Sequence, residues 1–119
     1  MYKQLSEKEE WLARQITDIA FLIHREIGPG LLERIYVQCF CYELSKRNIL
    51  FQRHKGIPVN FKDLTIENGL FIDLIIDDSI IVEFKAQDLY HPVWMAQILS
   101  YLKFSQKPVG LLFHANEFF

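Results

Sequence analysis

Apolar residues recur at helical spacing in two stretches early in the chain. Leu12, Ile16, Ile19, Ala20, Ile23 and Ile27 repeat every three or four positions, which predicts a helix with one buried face. Ser6-x-x-Glu9 ahead of them is a capping-box pattern. Gly28-Pro29-Gly30 ends the segment, because proline cannot continue the helix and glycine frees the backbone. A second stripe follows at once: Leu32, Ile35, Tyr36, Cys39, Phe40 and Leu44. Lys46-Arg47-Asn48 reads as its last turn, with cations where the helix dipole favours them.

From residue 49 the helical period gives way to strand-like runs. Ile49–Arg53 and Ile57–Phe61 read as two short strands broken around Gly56-Ile57-Pro58, and Asn68-Gly69 reads as the next turn. Leu70–Ile76 and Ser79–Lys85 are β-rich runs separated by Asp77-Asp78, a hairpin signal. Pro92 opens a third helix with Val93, Met95, Ala96, Leu99, Tyr101 and Leu102 among its apolar positions. Lys107-Pro108 stops it, and Val109–Phe113 is a last apolar strand. The tail Asn116–Phe119 leaves little room for another element. Helix, helix, three or four strands, helix, strand is the order of an α/β protein, an α+β mixed sheet flanked by helices.

Composition narrows the classes. The 119 residues are expected to form a single domain, 1–119, large enough for one core. Lys plus Arg is 13 against 15 for Asp plus Glu, a formal charge of −2, which excludes a strongly basic nucleic-acid coat but not a local patch. No apolar run approaches the ~20 residues of a membrane span. MYKQLSEKEEW lacks the apolar core of a secretory signal. Cys39 and Cys41 diverge on a helix, so they are expected to be buried free thiols rather than a disulfide or zinc pair. These features predict a reducing, cytoplasmic setting.

Candidate chemistry concentrates in the hairpin. Asp73 interrupts the run Phe71–Ile76, and Glu83 and Lys85 close the run Ile80–Lys85. A carboxylate in such a segment is costly unless it is paired, solvated or metal-bound. Strand alternation puts Glu83 and Lys85 on one face and Phe84 on the other. A two-residue turn at Asp77-Asp78 would pair Asp73 with Val82; a three-residue turn through Ser79, or a bulge, would pair it with Glu83. In the second register two carboxylates and an ammonium converge, hard oxygen ligands suited to Mg2+ or Mn2+. Lys85 would then position a water or stabilise developing charge. The ordinary alternative is a solvated charge cluster on an exposed hairpin.

Other groups are less specific. Gln97 and Tyr101 share a helix face, as do Glu33 and Tyr36. His24, His54, His91 and His114 have no metal-ligand spacing and read as surface or loop residues. Arg53-His54-Lys55 is a short cationic cluster that reads as a solvated turn, with phosphate contact as the functional alternative.

Gly30-Leu31-Leu32-Glu33-Arg34-Ile35-Tyr36 matches the G-x-x-E-x-x-Y signature of the GxxExxY protein family. His24–Gly30 before it, Ile57-Pro58-Val59 and Ile81-Val82-Glu83-Phe84-Lys85-Ala86 also resemble that family, in the same order along nearly the whole chain. The resemblance implies a PD-(D/E)XK nuclease-like domain with a restriction-endonuclease-like core in the order α-α-β-β-β-α-β. It implies Asp73 as the motif aspartate, Glu83-Phe84-Lys85 as the E-x-K, Glu33 as the acidic residue of the first core helix, and Gln97 and Tyr101 as the polar Q-x-x-x-Y edge. Phe71 departs from the pattern, standing where relatives often carry a basic or polar residue.

Two functions are therefore expected to compete. One is a Mg2+- or Mn2+-dependent nuclease-type phosphodiesterase acting on DNA or RNA, with Asp73 and Glu83 on the metal and Lys85, Glu33, Gln97 and Tyr101 around it. The other is a nuclease-fold binding or homodimerising module. The acidic balance and the 10 Phe, 5 Tyr and 2 Trp residues argue for the second.

Overall fold

The computed structural model describes residues 4–87 and 89–115. The expected short tail at Asn116–Phe119 and the first three residues lie outside that set. Three helices and four strands follow in the order α1 (Glu7–Ile27), α2 (Glu33–Lys46), β1 (Phe51–Phe61), β2 (Leu64–Ile76), β3 (Ile80–Lys85), α3 (Val93–Ser105) and β4 (Val109–His114). The strands form one mixed sheet in the order β1-β2-β3-β4. The first two pairings are antiparallel, and β3–β4 is parallel across the α3 crossover.

Two apolar layers sandwich the sheet. On one face α1 and α2 bury Leu12, Ile16, Ile19, Ile23, Tyr36, Phe40 and Leu44 against Leu74, Ile76, Ile80, Val82, Phe84 and Phe113. Phe40 meets Phe84 and Phe113 edge-on, at ring distances of 5.1 and 5.2 Å. Each such ring contributes roughly 1.5–3 kcal/mol of burial. On the other face α3 sets Ile98 against Ile57, Ile72, Ile75 and Ile81. Only a narrow stripe of α3 is buried. Val93, Met95 and Leu99, among its apolar positions, lie 45–64% exposed. Helix α3 is apolar on most sides, so periodicity alone does not single out its sheet-facing stripe.

The helix boundaries follow the capping chemistry. Ser6 Oγ accepts from the Glu9 N–H, and Glu9 Oε1 accepts from the Ser6 N–H, at 3.0 and 2.8 Å. Gly28 leaves α1 at φ 68°. Tyr36, fully buried, then ties the turn: its hydroxyl donates to the Gly28 carbonyl at 2.8 Å and accepts from the Leu31 N–H at 3.2 Å. The G-x-x-E-x-x-Y spacing thus brings the tyrosine back under the loop and holds Glu33 at the first turn of α2.

Between residues 49 and 76 the structure corrects the reading. The two short strands are one, β1, and Asn68-Gly69 is not a hairpin turn. The chain reverses at Lys62-Asp63, with Lys62 at φ 52°. Asn68, at φ 52°, lies inside β2, where the register jumps from Ile57↔Leu70 to Val59↔Ile66. Glu67, Asn68 and Gly69 thus oppose Pro58 alone. A Cβ on Gly69 would come within 2.7 Å of Val59, so the glycine serves a bulge. Pro58 is tolerated because β1 is an edge strand.

Candidate metal centre

Hairpin β2–β3 closes through three residues. Ile76 pairs with Ile80, Ile75 with Ile81 and Leu74 with Val82. Asp77 and Asp78 take φ 50° and 54°, and the Ser79 N–H returns to the Ile76 carbonyl at 3.0 Å. Of the two registers the sequence leaves open, this one brings Asp73 level with Glu83. At that level the carboxylates take over from the backbone ladder. The Asp73 N–H donates to Glu83 Oε1 at 3.0 Å, and the Phe84 N–H donates to Asp73 Oδ2 at 2.9 Å.

Asp73 is also where the pleat of β2 changes phase. Ile72 and Ile75 both face α3, whereas Leu74 and Ile76 both face α1 and α2. Asp73 lies at that seam. Opposite it on β1, His54 has φ 49°, and the ladder passes from Arg53↔Leu74 to Lys55↔Ile72 without it. The Asp73 carboxylate can therefore serve both sides: it lines a recess with Glu33 of α2, and its charge is felt by Tyr101 of α3.

Glu83 is 4% exposed, which removes the solvated-cluster alternative for it. Burial first, and then the charge of Asp73, push its carboxyl up to about 8; the Asp73 N–H and the Lys85 charge pull the other way. Lys85 shares the α3 side with Glu83 and sits 5.9 Å from the centre of the Trp94 ring. The Tyr101 hydroxyl titrates above its ordinary value, through burial first and then the charges of Glu83 and Asp73. Gln97 is half-buried one turn before Tyr101, and among the described residues its side chain hydrogen-bonds to none of these groups.

Glu33 and Asp73 share a recess of about 240 Å3 whose other walls are Arg34, Val37, Arg53 and His54. Among the described residues, no three His, Cys, Asp or Glu side chains come together as a metal cage. The two-carboxylate set nonetheless fits a hard divalent cation. One oxygen of each carboxylate is held by a backbone N–H, the two side chains lie close enough to share a proton, and Mg2+ commonly keeps several waters. A cation there would also offset the mutual repulsion of the pair.

Sequence reasoning missed Trp94 beneath Lys85 and Arg34 in the recess. Arg34 adjoins Glu33 in the motif, but only the approach of β1 to α2 gives it a partner surface. Arg53-His54-Lys55, expected as a solvated turn, is instead part of β1. Two of the four histidines also differ from expectation. His114 is buried, its Nε2 2.7 Å from the Gln87 carbonyl, and the half-buried His24 stacks on Phe113 at 4.8 Å. Cys39 and Cys41 are free thiols, and burial raises the titration of Cys41.

A family model for the PD-(D/E)XK nuclease superfamily matches residues 10–118. The chain belongs to the PD-(D/E)XK nuclease superfamily. Comparison with curated proteins and with solved structures returns no match. In this PD-(D/E)XK domain three helices and a four-stranded mixed sheet make the α+β, restriction-endonuclease-like arrangement. No helix among the described residues is long and apolar enough to cross a membrane.

Proposed function

We propose that this PD-(D/E)XK domain is a divalent-metal-dependent phosphodiester hydrolase acting on nucleic acid. The observation that carries the reading is the Asp73–Glu83 pair. Two carboxylates are crossed through each other's strands, one is almost fully buried, and the compensating charge beside them is Lys85. A fold does not keep such a pair for stability, since two neighbouring carboxylates repel and burial penalises both.

In this reading Asp73 and Glu83 hold Mg2+ or Mn2+, and Glu33 reaches the site through water. The metal when bound polarises a phosphoryl oxygen and acidifies water. Lys85, held over Trp94, positions the attacking water and offsets charge that develops on the phosphate. Tyr101 and Gln97 orient the α3 side of the site.

Calorimetric titration of Mn2+ and Mg2+ tests the metal site, with Asp73→Ala and Glu83→Ala as controls. Binding that either substitution abolishes is expected; none by the folded wild type would overturn the site. Lys85→Ala is expected to leave metal binding in place and abolish cleavage of DNA and RNA. Undiminished cleavage would remove the lysine from the mechanism.

A homodimerising module is the second reading, favoured by the outward face of α3, where Val93, Met95 and Leu99 stand exposed beside Tyr90. Light scattering on wild type and Leu99→Glu decides it: a dimer that the substitution dissociates supports an interface there.

A further inference from the structure

The recess on the α2 side of Asp73 holds a second set of groups. Arg34 and Arg53 line it, and among the described residues neither forms an ion pair. Two guanidinium groups beside two carboxylates, without salt-bridging them, are available to an anion held next to the metal site. Arginine suits phosphate because its planar fork matches two oxygens at once.

At the rim the rings of His54 and Phe71 lie parallel, 3° apart in plane and 4.3 Å between centres. Phe71 is 42% exposed, so this stacked pair is open to solvent. His54 reaches it from a left-handed backbone at φ 49°, a conformation that ordinary side chains rarely adopt. Backbone strain, an interrupted ladder and an exposed flat ring surface therefore coincide one step from the carboxylates.

We infer that this recess is a substrate subsite for single-stranded nucleic acid, in which Arg34 and Arg53 hold a backbone phosphate and the Phe71–His54 pair stacks an unpaired base. The inference rests on the nuclease reading for the placement of the scissile phosphate and deepens it by naming the strand state of the substrate. A ring surface beside a phosphate cradle is how single strands are held without sequence preference. A base inside a duplex is already stacked and cannot use it.

The test is fluorescence anisotropy with labelled oligodeoxythymidylate, oligouridylate and a blunt DNA duplex, using Lys85→Ala protein to prevent turnover. Single strands are expected to bind more tightly than duplex, and a preference between the two oligomers identifies the sugar. Phe71→Ala and Phe71→Leu are both expected to weaken single-strand binding about tenfold, with little effect on the duplex. Arg34→Gln and Arg53→Gln are each expected to reduce the slope of log affinity against log salt by about 0.7. Urea melts check that each variant is folded.

Equal binding of duplex and single strand, or Phe71 and arginine variants that bind as the parent does, overturns the subsite. Cleavage by wild-type protein is measured separately. A protein that cuts but ignores these substitutions loses the subsite and keeps the nuclease assignment. One that binds single strands through the recess and cuts nothing loses the nuclease assignment and keeps the subsite.

Discussion

Glu83→Gln should change how stability depends on pH more than it changes stability at any one pH. Glu83 sits 4% exposed against Asp73, and its carboxyl is raised from 4.5 to about 8. In the unfolded chain it titrates near the ordinary value, so the folded state favours the protonated form. Stability from this group is therefore fully present below about pH 4.5, declines as pH rises, and is lost above about pH 8. The gap of about 3.5 units, 8 − 4.5, corresponds to a ceiling on the order of 5 kcal/mol at 1.36 kcal/mol per unit. That is a large part of the 5–15 kcal/mol typical of a domain. Glutamine keeps the shape of the side chain and an oxygen for the Asp73 N–H, but carries no titrating proton. Urea unfolding of both proteins in a chelator, from pH 5 to pH 9, reads the difference. Wild type should lose several kcal/mol relative to Glu83→Gln across that range. Mg2+ should flatten the wild-type profile and leave the variant unchanged. Parallel profiles in the chelator would refute the argument, because they would mean that Glu83 ionises in the fold without penalty.

Three other outcomes follow from the same geometry. Tyr36→Phe keeps the buried ring and removes the hydroxyl that bridges Gly28 and Leu31; urea melts should show a loss of about 1–2 kcal/mol. Gly110→Ala places a Cβ within 2.6 Å of Ile98 Cγ2, so α3 must shift on β4; thermal unfolding should show about 1–3 kcal/mol of destabilisation. Deleting Ser79 leaves Asp77-Asp78, both already at positive φ, as a two-residue turn that keeps Ile76 opposite Ile80 and Asp73 level with Glu83; circular dichroism should show a folded chain.

The parts of the fold set by local chemistry are readable along the chain. The capping box at Ser6, the Gly-Pro-Gly exit from α1, the order of the elements and the E-x-K alternation all depend on neighbours in sequence. The hairpin register is different. Asp77, Asp78 and Ser79 can close a two- or a three-residue turn, and the choice is made by which isoleucines must face α3. Asn68-Gly69 misleads for a related reason. The pair supplies a positive φ wherever it lies, and whether that serves a turn or a bulge depends on Val59 and Pro58 across the ladder. Within the site, residue types point to Asp73, Glu83 and Lys85, whereas Arg34, Trp94 and the His54–Phe71 stack arise only when α2, α3 and β1 approach the hairpin.

The crossed bonds at the head of β2 and β3 make two amides into built-in reporters. The N–H groups of Asp73 and Phe84 donate to the carboxylates themselves, so any ion, proton or phosphate that draws on those oxygens changes the hydrogen bonds of these amides first. Two cross-peaks in a nitrogen–proton correlation spectrum can thus follow occupancy of the centre directly. They need no labelled oligomer and no turnover, so they read the state of the carboxylate pair independently of any cleavage assay.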